Sequence, residues 1–214
     1  MTPTTNFSSF LSGFTFGFLL AATVGPVWVL ILRRTLAHGP LFGFVSGLGV
    51  VTADAIFGAI AALGLTAVSS FLLEQRVWLS VAGGMFLLWL GANILRSPIT
   101  QGQAADAPAR SLPAAFVTMC GFTLTNPATI MGFVAIFAGL GMAQSASYEQ
   151  AAWVVTGVVL GSLLWWTILA LAAGRLRRRL EGPRGDKVLR AVNIVAGITI
   201  LGFGLAQLGS LALK

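Results

Sequence analysis

The feature that most constrains this chain is its division into six long apolar runs. They cover Phe7–Leu32, Leu41–Leu72, Val77–Leu95, Leu112–Met142, Ala151–Ala173 and Val188–Leu213. Crossing the hydrocarbon of a bilayer takes roughly 20 mainly apolar residues. In lipid the backbone must satisfy its own hydrogen bonds, which leaves helices and closed barrels. A barrel would show alternating segments of about 10 residues, and no such alternation is present. The pattern predicts an all-α membrane protein of six transmembrane helices. The second and fourth runs exceed what a crossing needs, so tilt, kinks or interfacial ends are expected in them.

Composition excludes the soluble alternatives. Only 9% of residues are charged and 57% are hydrophobic, against about 25% charged in soluble domains. The net charge of +7 would fit a nucleic-acid partner if it were clustered on one face. Instead the basic residues lie between the apolar runs, where they set orientation and meet anionic lipid headgroups. Membrane lipids, not nucleic acid, are the predicted partners. Cys120 and His38 are the only cysteine and histidine, so an intramolecular disulfide, a thiolate cluster or a His-pair zinc site cannot form. No metal or cofactor is expected. The first run lacks a basic leader and is longer than the apolar core of a signal peptide, so it reads as a span.

Of the 13 basic residues, eleven fall between runs one and two (Arg33, Arg34), three and four (Arg96, Arg110), or five and six (Arg175 to Arg190). The opposite side has Arg76 and Lys214. The positive-inside rule then puts both termini on the outer, periplasmic side of a bacterial inner membrane. Trp78, Tyr148 and Trp153 fall at run ends on that outer side, as an interfacial aromatic belt would. The stretch around 97–111 is rich in Ala, Pro, Gln and polar residues and reads as a cytoplasmic linker. It divides the chain into halves, 1–96 and 112–214, with three runs each. Because three is odd, the halves enter the membrane with opposite polarity, the topology of an inverted repeat. A homo-oligomer is left open.

One residue stands apart. Of the six acids, Asp54 alone lies deep inside a run. A charge there costs at least about 2.5–3.5 kcal/mol, so Asp54 should face the bundle interior or an aqueous cavity. Such a group suits reversible protonation or pairing with a substrate ammonium. The alternative role is a structural hydrogen bond between helices. Two helix-breaking sequences accompany it, Thr23–Val24–Gly25–Pro26 and Thr125–Asn126–Pro127. Proline lacks an amide hydrogen and clashes with the preceding turn. The half-helix N-terminus that follows a break favours an anionic group such as a carboxylate. Thr52, Asn93, Thr123, Thr129 and Asn193 are secondary polar candidates, each more at home as helix–helix glue. Trp28 reads as packing and His38 as a turn residue without a role. Gly13/Gly17, Gly43/Gly47 and Gly157/Gly161 have the spacing that lets helix backbones approach closely.

These residues together resemble the lysine exporter (LysE/RhtB) family of amino-acid exporters over nearly the full length. Gly25–Pro26 looks like the family's opening motif, with Val24 where a proline is common. Gly39, Gly43, Gly47 and Asp54 follow its glycine-spaced run into an Asp in the second span. The stretch from Leu87–Leu88–Trp89–Leu90–Gly91 to Arg96 is similar to the end of its third span. Phe116, Gly121, Phe122, Asn126 and Pro127 look like its fourth-span motif, and Gly197–Gly202 fits the last span. The family often has a lysine after Asn-Pro, where this chain has Ala128. The resemblance implies proton-coupled efflux of amino acids across a bacterial inner membrane.

The expected site therefore comprises Gly25, Pro26, Asp54, Asn126 and Pro127, near the midplane between the halves, with Asp54 exchanging a proton for the substrate in an alternating-access antiporter. With one buried carboxylate and no buried base, neutral amino acids are favoured over cationic ones. Efflux of a divalent cation by a similar fold would want several hard or thiolate ligands, which the runs do not contain. An intramembrane enzyme would need a Ser/His pair, paired aspartates or a zinc motif, and none lies in the runs. A non-transporting scaffold would have no use for Asp54 and the paired prolines.

Overall fold

The computed structural model describes residues 3–62, 74–96, 111–126, 129–130, 132–133, 148–179 and 183–212. Among them are seven long helices and no strand. They are α1 (Pro3–Ala22), α2 (Pro26–His38), α3 (Pro40–Ala62), α4 (Arg76–Arg96), α5 (Leu112–Leu124), α6 (Tyr148–Arg179) and α7 (Pro183–Ala212). The linker 97–110, and Pro127 with Ala128, lie outside the described residues.

The first apolar run is broken where its sequence predicts. α1 ends at Ala22, the chain turns through Thr23, Val24 and Gly25, and α2 restarts at Pro26, bent by 71° from α1. Proline is suited to that first position because its missing N–H would have no intrahelical acceptor there. α2 ends at Gly39, whose φ of 99° lies in the left-handed region and whose N–H closes on Thr35 O at 2.8 Å. Pro40 then opens α3 directly. α5 begins with Ser111, whose hydroxyl accepts from Ala114 N at 3.4 Å, with proline in the first turn.

Three described stretches, in α3, α6 and α7, are long and apolar enough to cross a membrane, and the bent α1–α2 pair makes a fourth when it is counted as one broken span. Ser80–Arg96 and Leu112–Leu124 are apolar but shorter. Large apolar side chains such as Leu19, Met85, Val117, Val195 and Leu205 stand exposed on the outer faces, the surface of a protein that rests in lipid.

α1 packs along α6, α4 along α7, and α3 lies between α6 and α5. α2 touches α3, α6 and α7 and occupies the middle. The main core surrounds it, with Leu30 and Ile31 against Val50, Leu87, Met119 and Trp166. Two of the three glycine pairs let backbones approach as their spacing predicts, while Gly43 and Gly47 face the side chains of Thr35 and Trp166. A Cβ on Gly13 or Gly17 would run into the Val154 or Val158 backbone of α6, and one on Gly157 or Gly161 into the Phe10 or Phe14 backbone of α1.

The expected distribution of basic residues needs correction. Arg33 and Arg34 are not loop residues: both are inside α2, only 2% and 1% exposed. Leu36 and Ala37 continue the buried helix past them, so the turn comes at Gly39, one helical turn and a half later than the charges suggested. Arg175, Arg177, Arg178 and Arg179 are likewise helical, in the last turns of α6, because a helix that outlasts its apolar run carries its basic end with it. His38 is the final residue of α2, its ring 4.8 Å from that of Phe42.

Candidate functional site

The two helix breaks open onto one cavity of about 370 Å³. Leu20 and Ala21 of α1, the Thr23–Gly25 turn, and Pro26 with Val27 of α2 form one wall. Val50 and Asp54 of α3, Phe122 and Thr123 of α5, Asn126 and Thr129 form the facing wall. Leu87, Trp166, Phe203, Ala206 and Gln207 complete the lining. Four of the five predicted site residues, Gly25, Pro26, Asp54 and Asn126, thus share a cavity. The fifth, Pro127, lies outside the described residues.

The breaks themselves are built alike. At the first, Thr23 Oγ1 donates to Leu19 O at 3.0 Å and Thr23 N to Leu20 O at 3.2 Å. At the second, Thr125 Oγ1 and Thr125 N both donate to Gly121 O, at 2.9 and 3.1 Å. In each case a threonine closes the ending helix, and a fresh turn begins one or two residues on. Val29 N returns to Gly25 O at 3.0 Å, while Thr129 N and Ile130 N return to Asn126 O at 3.1 and 3.2 Å. Amides of a first helical turn have no intrahelical acceptor. The positive end of α2 therefore meets the cavity, where it favours an anionic group.

Asp54 is the charged residue of the described lining. It is 4% exposed, and its Oδ2 accepts a 2.7 Å hydrogen bond from Ser162 of α6. The described residues supply no partner for Oδ1. Both sequence readings of this residue therefore have a physical basis: one oxygen ties α3 to α6, and the residue borders open space. The rest of the lining is mostly apolar, with hydroxyls and amides at Thr23, Thr123, Asn126, Thr129 and Gln207. Gln207 Nε2 donates to Ser80 O at 3.0 Å and joins α7 to α4.

Several functional candidates escape a reading of the sequence. Ser162 is a small polar residue in an otherwise apolar run, and only its partner gives it meaning. Gln207 has the same signature in the last run. The buried pair Arg33 and Arg34 overturns the expectation that the bundle holds no buried base. Arg33 Nε donates to Asn193 Oδ1 at 2.8 Å, and Asn193 Nδ2 passes the link to Ile94 O at 2.6 Å. Arg34 reaches the other way, to Ser46 Oγ at 3.2 Å, Ala115 O at 3.1 Å and Thr118 Oγ1 at 2.9 Å. Neighbouring residues of α2 thus hold α4 and α7 on one side and α3 and α5 on the other. Neither arginine lines the cavity. Of the secondary candidates, Thr52 closes on Leu48 O at 2.9 Å, and Asn193 serves as glue. Trp28 packs against the core.

Comparison with known proteins places the chain among transporters. The family described as LysE type translocator matches residues 18–210. The chain is 27% identical to a leucine efflux protein of Klebsiella pneumoniae, over 96% of this chain and 95% of that one. It is 28% identical to the arginine exporter protein ArgO of Salmonella newport, over 94% and 95%. It is 31% identical to the chemotactic transduction protein ChpE of Pseudomonas aeruginosa, over 79% and 84%. No solved structure matches it.

Proposed function

The chain belongs to the LysE type translocator family, and on that footing we propose that it exports amino acids across a bacterial inner membrane. The observation that carries the reading is the position of Asp54, a carboxylate bordering a cavity onto which two helix breaks open. Relatives named for leucine efflux and arginine export cover the chain almost end to end.

In this account an amino acid sits with its carboxylate at the amide-rich ends that start at Gly25–Pro26 and Asn126–Pro127. Its ammonium lies at Asp54. The apolar lining from Leu20, Val50, Phe122 and Trp166 suits a neutral side chain. The buried arginines do not change that preference, because they lie off the cavity. Proton antiport follows if Asp54 holds either a proton or the ammonium, but not both. Each turnover then returns a proton inward for the solute carried outward, with the cavity opening alternately to the two sides.

Six spans as two inverted three-helix halves, 1–96 and 112–214 joined by the linker 97–111, with both termini outside, complete the proposal. The pairing of helices supports it. Exchanging the halves turns the α1–α6 contact into the α5–α3 contact, and leaves α4–α7 and α3–α6 unchanged. The matched threonine-closed breaks have the same relationship. The test is reconstitution in liposomes with an imposed pH gradient and a panel of labelled amino acids. Gradient-driven movement of neutral amino acids is expected; a protein that moves no amino acid on the panel would overturn the reading.

A further inference from the structure

Thr123 differs from the hydrogen-bonded threonines of this protein. Seven others, Thr118 and Thr125 of the same region among them, turn their hydroxyl back onto the carbonyl four residues earlier, at 2.7–3.0 Å. That bond is the usual resting place for a threonine inside a membrane helix, because it spares the hydroxyl an unpaired existence in a dry environment. Thr123 is 1% exposed, yet its Oγ1 has no hydrogen-bond partner among the described residues. A buried polar atom left unsatisfied calls for an explanation. Here the explanation is at hand, since Thr123 borders the same cavity as Asp54.

The two residues are set on neighbouring helices. Gly49 of α3 abuts the backbone of Phe116 and Cys120 of α5, and α3 and α5 pack together. Five residues on from Gly49 comes Asp54, whose Oδ1 is without a described partner. A few residues on from Cys120 comes Thr123. Two residues, each with an oxygen that lacks a described partner, thus border one cavity. A primary ammonium has three N–H donors and no acceptor, and can engage both oxygens at once.

We propose that Thr123 is a substrate-binding residue whose hydroxyl, together with Asp54, receives the primary ammonium of the transported amino acid and discriminates against N-alkylated amines. The proposal rests on the export reading above and names a contact and a selectivity within that site. An N-methyl amino acid has one donor fewer and adds bulk at the nitrogen that the two residues would receive.

The test compares Thr123→Val and Thr123→Ser with the wild type, as purified full chain and in liposomes. Valine keeps the shape and removes the hydroxyl; serine keeps the hydroxyl. Thr123→Val should weaken binding of a neutral amino acid about tenfold, the loss of one hydrogen bond to a charged group. It should bind the N-methyl form of the same amino acid nearly as the wild type does, so that the selectivity ratio collapses, while Thr123→Ser retains both. Free of ligand, Thr123→Val should melt at a higher temperature than the wild type, because an unsatisfied hydroxyl has gone. A Thr123→Val protein with unchanged selectivity, or one that melts lower without ligand, overturns the assignment. A wild type that transports no amino acid overturns the export reading instead, which the melting comparison does not depend on.

Discussion

Ser162 of α6 donates a 2.7 Å hydrogen bond to Oδ2 of Asp54 on α3, joining residues 108 apart in the chain. Ser162 is fully buried, so the bond is shielded from water and fixes which way the carboxylate turns. One oxygen is committed to the helix interface. The other has no partner among the described residues, and the residue borders the cavity.

Ser162→Ala should therefore do two things. Loss of a hydrogen bond to a charged group costs about 1.5–3 kcal/mol, read as a lower melting temperature. A double-mutant cycle with Asp54→Asn should show strong coupling between the two sites. Additive effects would mean that the contact contributes nothing to the fold.

The contact between α1 and α6 gives a sharp comparison of glycines. A Cβ on Gly161 would enter the backbone of Phe14, whereas one on Gly202 meets nothing within 4 Å. Gly161→Ala should destabilise the protein by about 1–3 kcal/mol, the range for overpacking. Gly202→Ala should be neutral or slightly stabilising, since alanine is the better helix former. Thermal unfolding in detergent measures both.

The arginine link through Asn193 predicts a large effect far from the cavity. Asn193→Leu would leave Arg33 Nε and Ile94 O without this partner. An abandoned buried polar group costs about 1–3 kcal/mol, and more when charged. A protein that melts as the wild type does would show that α2 is not held to α4 and α7 in this way.

Gly25 separates site from fold. Its φ of −154° is extended backbone open to any residue, and an added Cβ would meet only Thr23 O, at 4.0 Å. Gly25→Ala should melt like the wild type. Transport should nonetheless fall, because the methyl group occupies the cavity beside the α2 amides. Unchanged transport would remove Gly25 from the site.

Much of this arrangement is legible in the sequence, and the exceptions have physical causes. Pro26 and Pro127 announce breaks because proline's effect is local. Asp54 stands out because a carboxylate in an apolar run has few tolerable surroundings. The glycine pairs predict close helix contact, since their meaning depends on spacing alone. Arg33 and Arg34 mislead because the positive-inside rule weighs charges by position between runs. Whether a guanidinium is solvated or hydrogen-bonded inside the bundle depends on Asn193, Ser46 and Thr118, which only the fold brings near. It is Gly39, with its left-handed φ, that ends α2. Thr123 misleads for the converse reason: threonine in a membrane helix normally has a carbonyl partner, and only coordinates reveal that this one has none.

Proton movement by the Asp54→Asn protein tests the central claim most directly. Liposomes are loaded with a pH-sensitive dye, and a gradient of a transported neutral amino acid is imposed without any starting pH difference. The wild type should shift the internal pH as the amino acid runs down its gradient, and Asp54→Asn should leave the pH still. If Asp54→Asn shifts the pH at the wild-type rate, the carboxylate is not where proton and substrate exchange.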